Sequence, residues 1–350
     1  GNTIDPLALM DTYGADALRF TLARGSNPGS DMSLSEEWVA GSRNFGTKLW
    51  NAARFALANG ADPDGHIDPA QLTDADRWIL DRVAAVTAEV DALLEDFQFA
   101  KATELLYHFT WDEFCDWYLE LAKVQIGQGA DGNTARAATT QAVLGNTLDV
   151  LLRLLHPIMP FLTETLWTAL TGGESLVVAS WPRLTEQAGS GPNTGVAERM
   201  AAVQKLVTEV RRFRADPGLR PAQWVPARLA GADSAGLGDQ LDAVRALARL
   251  GAVEEVFTPT ATVEVGLAAG PVRVELDTSG TIDLAAERAR LTKDLTAAEK
   301  ELSGTEAKLG NPKFTERAPA DVVAGIAARR EAAVADIERI RAALTAIPEG

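Results

Sequence analysis

Few residues of this chain have the types and spacing that covalent chemistry requires. Its three histidines, His66, His108 and His156, lie far apart and share no ligand-like spacing with the single cysteine, Cys115, so no metal site is expected. The carboxylates Asp112, Glu113, Asp116 and Glu120 crowd one stretch at spacings that a solvated helix face or internal ion pairs explain, and acid-base catalysis is not expected from them. What is left is non-covalent recognition. Residues 43 to 55, RNFGTKLWNAARF, hold the cations Arg43, Lys48 and Arg54 with no acid between them, the amides Asn44 and Asn51, and the rings Trp50 and Phe55. On a helix, three- and four-residue steps put Asn44, Lys48 and Asn51 on one face and Trp50 and Arg54 on an adjacent one. Phe45, Leu49 and Ala52 or Ala53 then point to a core. An ordinary solvated helix face carries the same pattern, and so does simple burial of Phe55.

The hydrophobic pattern supplies the scaffold for these residues. Residues 6 to 24 read as helix, with Asp5 as cap and Pro6 at the first helical position. From about 36 to 171 the chain reads as almost wholly helical, broken by polar, glycine-rich stretches near 59 to 74 and 127 to 134. One helix aligns Trp78, Ile79, Val83, Val86, Val90, Leu93, Leu94 and Phe97 on an apolar face. Another carries Phe109, Trp111, Phe114, Trp117, Tyr118 and Leu121 at helical steps. Pro157 and Pro160 stop or bend a further helix, with His156 expected to donate to its last carbonyls. Long amphipathic helices with short connections imply an antiparallel bundle.

Beyond a glycine- and asparagine-rich linker at 183 to 195, whose GSGPNTG lacks the spacing of a phosphate-binding loop, residues 196 to 283 read as a small α/β module. Its strands are expected at 225 to 229, 253 to 257, 262 to 267 and 272 to 276, around a helix at 238 to 250. In the last segment, Leu284, Leu291, Leu295, Ala298, Leu302 and Leu309 fall on a heptad seam interrupted by Arg288 and Thr305. Val323, Ile326, Ala333, Ile337, Ile340 and Leu344 form a second seam, interrupted by Arg330. Gly310, Pro312 and Pro319 between them cannot continue either helix. The expected fold is mainly α: an antiparallel helical bundle, a small α/β module and an antiparallel coiled-coil hairpin of about 25 residues per arm.

Composition narrows the function classes. The chain of 350 residues has room for two or three domains. Its net charge of -16 argues against a broad surface for coating nucleic acid, although a local basic stripe can still grip a structured RNA. Besides residues 43 to 54, such a stripe is offered by Arg211, Arg212, Arg214 and Arg220, with only Asp216 among them. No apolar run approaches the roughly 18 residues of a membrane span, and one cysteine excludes internal disulfides. A soluble chain in a reducing, cytoplasmic compartment is expected.

Several motifs resemble the valyl-tRNA synthetase family of class I aminoacyl-tRNA synthetases, collinearly over essentially the whole chain. GNTIDP and YGADALRF are similar to the segment after the KMSKS loop in the valine, isoleucine and leucine enzymes. RNFGTKLWNAARF, EFCDWYLELAK and LLHPIMPFLTETLW resemble the helical anticodon-binding domain, and EFCDWYLELAK favours valine. LGNPKFTERAPADVV between heptad helices is similar to the C-terminal arm of bacterial valyl enzymes. The isoleucine enzyme typically ends in a zinc-binding segment that one cysteine cannot build.

The resemblance implies a tail of the catalytic domain at 1 to 35, an anticodon-binding domain at 36 to 182, the linker, a junction module at 196 to 283 and a tRNA-binding arm at 284 to 350. It implies the tRNA-recognition part of a valine-tRNA ligase, monomeric, with valine-specific tRNA as partner. The same region of an isoleucyl or leucyl enzyme, or a helical coiled-coil adaptor for proteins, is the alternative. The parent enzyme is expected to use ATP and magnesium, and this segment to hold no cofactor. Arg43, Asn44, Lys48, Trp50, Asn51, Arg54 and Phe55 become anticodon-binding candidates, with Phe55 the preferred stacking ring. Arg288, Arg290, Lys293, Lys300, Lys308, Lys313 and Arg317 become the arm's candidates for the outer corner of the tRNA. The HIGH and KMSKS motifs do not occur in the sequence, so no adenylation activity is expected from it alone.

Overall fold

A computed structural model of the chain describes residues 5–26, 29, 31–128, 132–182, 195–215, 219, 222–253, 257–279, 284–310 and 320–346. They fall into two compact units, the first comprising 1–209, 229–250 and 264–273, the second 210–228, 251–263 and 274–350.

In the first unit, α1 (Pro6–Tyr13) starts as the cap pattern requires, with the Asp5 carboxylate accepting from the Leu7 N–H at 2.9 Å. Gly14, at φ +89°, turns the chain directly into α2 (Ala15–Gly25). The bundle proper consists of α3 (Glu36–Ala58), α4 (Asp74–Glu95), α5 (Phe99–His108), α6 (Leu119–Gln128), α7 (Thr134–Leu155) and α8 (Pro160–Thr171). Phe20, Phe45, Leu49, Ile79, Leu106, Phe109, Phe114 and Leu144 fill its core with no exposed surface above 1%. The motif YGADALRF has a structural use here. Asp16 accepts from the Phe161 and Leu162 N–H groups at the start of α8, and Arg19 donates to the Pro157 and Ile158 carbonyls just after α7. A helix start and a helix end, each with orphan backbone groups, are thus satisfied by two side chains of α2.

Three expectations change on contact with the fold. Phe97 does not extend the apolar face of α4. It sits past the helix end at φ +57° and is 74% exposed, closing a Schellman turn in which the Gln98 N–H reaches the Leu93 carbonyl and the Phe97 N–H that of Leu94. His156 finds the Thr163 hydroxyl at 2.8 Å rather than backbone carbonyls. The aromatic segment Phe109–Tyr118 is not α-helical but winds as a π-helix, the Leu119 N–H bonding to the Phe114 carbonyl five residues back. Phe109, Phe114 and Tyr118 are buried by that winding, whereas Trp111 and Trp117 stay partly exposed.

Cys115, inside this π-helix, is buried, and burial pushes its thiol up to about 12. A thiol so far above ambient pH holds almost no thiolate. The folded chain at pH 8 is therefore expected to react with a thiol-specific disulfide reagent at least about a hundredfold more slowly than the chain in denaturant. Equal rates in the two states would contradict the packing described.

Two further features hold the bundle. Thr73 and Asp76 form a capping box at the start of α4, and the buried Asp76 carboxylate also accepts from the Tyr118 hydroxyl at 2.9 Å and the Thr140 hydroxyl at 3.1 Å. Gly145, buried on α7, faces the loop at 62 and 63 so closely that a Cβ would lie 2.3 Å from the Asp62 carbonyl carbon. No other residue type fits there.

After α9 (Val196–Ala215) come β1 (Val225–Ala230), α10 (Leu241–Ala248), β2 (Leu250–Gly251), β3 (Ala261–Leu267) and β4 (Gly270–Leu276), with the strands in the order β2-β1-β4-β3. Of the strand expected at 253 to 257, residues 254 to 256 lie outside the described set, and the two-residue β2 just before it was not expected. In the second unit α11 (Leu284–Leu309) and α12 (Ala320–Ala346) pack along their length as the expected hairpin. Leu291, Ala333, Ile337 and Ile340 are buried in the seam. So is Thr305, whose hydroxyl is satisfied by the Glu301 and Leu302 carbonyls of its own helix. Among the described residues no helix is long and apolar enough to cross a membrane.

Candidate nucleic-acid interface

The Ser35 hydroxyl caps α3 by accepting from the Trp38 N–H at 3.2 Å, and Phe45, Leu49, Ala52, Ala53 and Ala56 turn its apolar stripe inward. The rest of the helix is left outward. Arg43, Asn44, Trp50, Asn51 and Arg54 are all exposed, Trp50 at 39%. Among the described residues Asn44, Asn51 and Arg54 make no side-chain hydrogen bond or ion pair, so two amides and a guanidinium are open to a ligand. Arg43 lies over the Tyr13 ring at 5.6 Å. With Tyr13, Gly46, Trp50 and Leu162 it lines a cleft of about 290 Å³.

Lys48 and Phe55 stand differently. The Lys48 ammonium pairs with Asp116 and rests 4.1 Å from the centre of the Trp111 ring, so its charge is already answered within the protein. Phe55 is half-buried, with the Lys123 ammonium 4.8 Å from its ring centre. That ring is a cation-bearing edge of the surface rather than an open platform, and Trp50 offers the more exposed ring. Trp111, Asp116, Lys123 and Tyr13 are the contributors that sequence spacing did not single out. Trp111 and Asp116 are five residues apart, a spacing that α-helical periodicity assigns to different faces.

The remaining charges near this face are paired. Arg24 grips Glu104, its Nη2 donating at 2.9 Å, and lies 4.0 Å over the Tyr107 ring. Glu104 and Asp112 both bond His108. The Arg24 guanidinium holds the Glu104 carboxyl below its usual range, and Asp112, with Glu104 second, raises the His108 imidazolium. Arg82 binds Glu113 through two parallel bonds of 2.6 and 2.9 Å. The carboxylates of DEFCDWYLE are thus ion-pair partners. Among the described residues no three His, Cys, Asp or Glu side chains gather as a metal site would require.

On the hairpin, Lys293, Lys300 and Lys308 are exposed, with no ion pair among the described residues. Spaced by seven and eight, they form one outward stripe opposite the seam. Arg329, Arg330 and Arg341 of α12 are instead engaged by Glu301, Glu306 and Glu299. Arg288 is exposed, the Arg290 side chain lies outside the described set, and so do Lys313 and Arg317. Of the other basic stripe, one member is turned inward. Arg214 is buried and donates to the Gln223 carbonyl, Arg220 lies outside the described residues, and Arg211 and Arg212 are exposed.

Two family profiles match the chain. The anticodon-binding domain of tRNA ligase covers residues 76–229, and the valyl tRNA synthetase tRNA binding arm covers residues 283–348. Curated relatives extend the similarity to α3. A valine-tRNA ligase of Nocardia farcinica is 57% identical over 98% of this chain and 38% of its own length. One of Corynebacterium efficiens is 55% identical over 97% of this chain and 37% of its own, and one of Mycobacterium tuberculosis 54% identical over 99% and 38%. The chain thus spans less than half the length of the relatives it matches. Among solved structures, a chain of the LeuRS-tRNA-LeuAMS ternary complex of Agrobacterium radiobacter K84 superposes with a TM-score of 0.43 and 20% identity, over 65% of this chain and 29% of that one.

Proposed function

We propose that this chain, which belongs to the valyl-tRNA synthetase family, supplies the tRNA recognition of a ligase that joins valine to its cognate tRNA with ATP and magnesium. The observation that carries the reading is the outward face of α3. Exposed Asn44, Asn51 and Arg54, without partners among the described residues, lie on the outward side of α3 together with the exposed Trp50 ring. Unpaired bases need that combination: a flat surface to stack on, amides to reach base edges and a cation for the backbone. The lysine stripe of α11 supports a second, independent contact with phosphates. In this reading the valine pocket, ATP and magnesium belong to other parts of the enzyme, and nothing in the present segment performs the bond-making step.

A filter-binding titration tests the proposal. The full chain is expected to bind tRNA bearing a valine anticodon more tightly than a tRNA with an unrelated anticodon, and to lose affinity steeply between about 50 and 200 mM salt. Equal affinity for the two RNAs at every salt concentration would refute it.

A further inference from the structure

Arg43 and Trp50 belong to a stripe of α3 separate from the one that carries the amides. They are seven residues apart, two turns of helix, and stand about 140–160° around the axis from Lys48, whereas Asn44 and Asn51 lie within about 60° of it. The Arg43–Trp50 stripe, the turn between α1 and α2 and the start of α8 together line the cleft of about 290 Å³. The floor of this cleft is apolar. Met159 and Leu162 lie opposite Gly46, where a Cβ would meet their terminal carbons at 3.4 Å, an ordinary contact. Alanine would fit and is the far better helix former, so glycine in the middle of α3 gives up helix stability and leaves the floor open.

The polar groups around the floor divide into engaged and open. The Asp16 carboxylate takes the Phe161 and Leu162 N–H groups, so its charge is answered by the positive end of α8. The Ser42 hydroxyl bonds that of Thr21 at 2.7 Å, and the Thr47 hydroxyl donates to the Arg43 carbonyl at 3.1 Å. The donors are open. Among the described residues, the Arg43 guanidinium, the Trp50 indole N–H and the Tyr13 hydroxyl have no hydrogen-bond or ion-pair partner, and the guanidinium lies over the Tyr13 ring, 5.6 Å from its centre.

An apolar floor beside two rings, with unanswered donors around it, matches a ligand that is flat and apolar at one end and rich in acceptors at the other. A guanidinium holds a carboxylate through two parallel bonds. The volume is at the low end for a ligand cleft and suits one or two fused rings, and a bare inorganic anion would leave the floor uncovered. We propose that the cleft binds a small aromatic carboxylate, with the ring on the floor beside Trp50 and the carboxylate on Arg43. A chain of net charge -16 has no general attraction for such an anion, so its binding depends on this one cation.

Naphthalene-2-carboxylate and its neutral counterpart naphthalene-2-methanol are the probes, titrated into the full chain at neutral pH and followed by calorimetry and ligand-observed NMR. The carboxylate is expected to bind with a Kd on the order of 0.1–1 mM, about tenfold tighter than the alcohol. Arg43→Gln should remove that preference and leave the affinity for the alcohol as it was. Gly46→Leu fills the floor and keeps the Arg43 charge, and should weaken both probes at least about tenfold. Thermal melting confirms that each variant is folded, and Gly46→Leu should melt no lower than wild type.

Equal affinity of wild type for the two probes would overturn the proposal and mark a merely apolar groove, of the kind a protein side chain fills. Inorganic phosphate displacing the carboxylate at equal concentration would overturn it too, because Arg43 would then be a general anion contact. Probe binding unchanged in both variants would place the probes elsewhere on the chain, and no binding at about 10 mM probe would remove the ligand altogether; either result overturns the assignment. No RNA enters these measurements, so the tRNA reading stands or falls separately on the filter titration.

Discussion

Asp76→Ala is expected to remove about 2–4 kcal/mol from the bundle's stability, a buried hydroxyl left unpaired costing about 1–3 kcal/mol and a lost helix cap about 1. Asp76 has no exposed surface, and its two oxygens receive the Thr73 N–H and hydroxyl, the Tyr118 hydroxyl and the Thr140 hydroxyl. Thr140 and Gln125 are bonded in turn, and Gln125 donates back to Thr73, so the cluster ties α4, α6, α7 and the π-helix together. Alanine removes the acceptor shared by three hydroxyls, leaves that of Tyr118 without a partner in a closed space and removes half of the α4 capping box. Asp76→Asn should cost much less, because the Tyr118 hydroxyl can turn and accept from the new amide.

The two carboxylate-free variants also expose the pH dependence. Burial pushes the Asp76 carboxyl above its ordinary value, so the folded chain holds the proton more tightly than the unfolded chain. The wild type therefore loses stability as pH rises from the unfolded value of about 3.9 through the raised folded value. Asp76→Asn carries no such slope at this site. Urea unfolding followed by circular dichroism across pH measures both effects. An alanine variant within 1 kcal/mol of wild type would mean that the cluster does not hold the four segments together.

Removing residues 284 to 350 is expected to weaken tRNA binding on the order of a hundredfold at low salt, and to make its salt dependence shallower by up to about 2.7 if all three stripe lysines meet phosphates. The basis is the contrast between the two helices of the hairpin. Lys293, Lys300 and Lys308 of α11 have no ion pair among the described residues, while Arg329, Arg330 and Arg341 of α12 are spent on glutamates. A phosphate can recruit the first set without displacing a partner. Since α11 and α12 bury their seams against one another, the melting transition of the bundle should persist in the truncated chain. Filter binding over a salt series, with melting alongside, checks both halves. Unchanged affinity and slope would take the arm out of recognition.

Much of the architecture was legible because it rests on repeating burial. The inward stripe of α3 follows from Phe45, Leu49, Ala52 and Ala53, and each lies in the core. The heptads of α11 and α12 predict their own pairing, since a seam of that period is buried only against another helix. Two of the deviations, Phe97 and the π-helix, occur where local geometry competes with periodicity. An apolar residue two positions past a helix end continues the pattern on paper while the backbone turns away beneath it.

Sequence by itself determined the helical class, the hairpin, the family and the inventory of rings, amides and cations on residues 43 to 55, because each depends on residue type and near-neighbour spacing. Only tertiary structure decided which of those groups are open to a partner. Lys48 and Arg54 look alike as letters, yet one is answered by Asp116 and Trp111 and the other has no partner among the described residues. Asp116 lies 68 positions from Lys48, and the winding that aligns it with Trp111 alters no spacing in the sequence. Charge pairing and solvent access are properties of distances in space, and residues remote along the chain set them only once the core has closed.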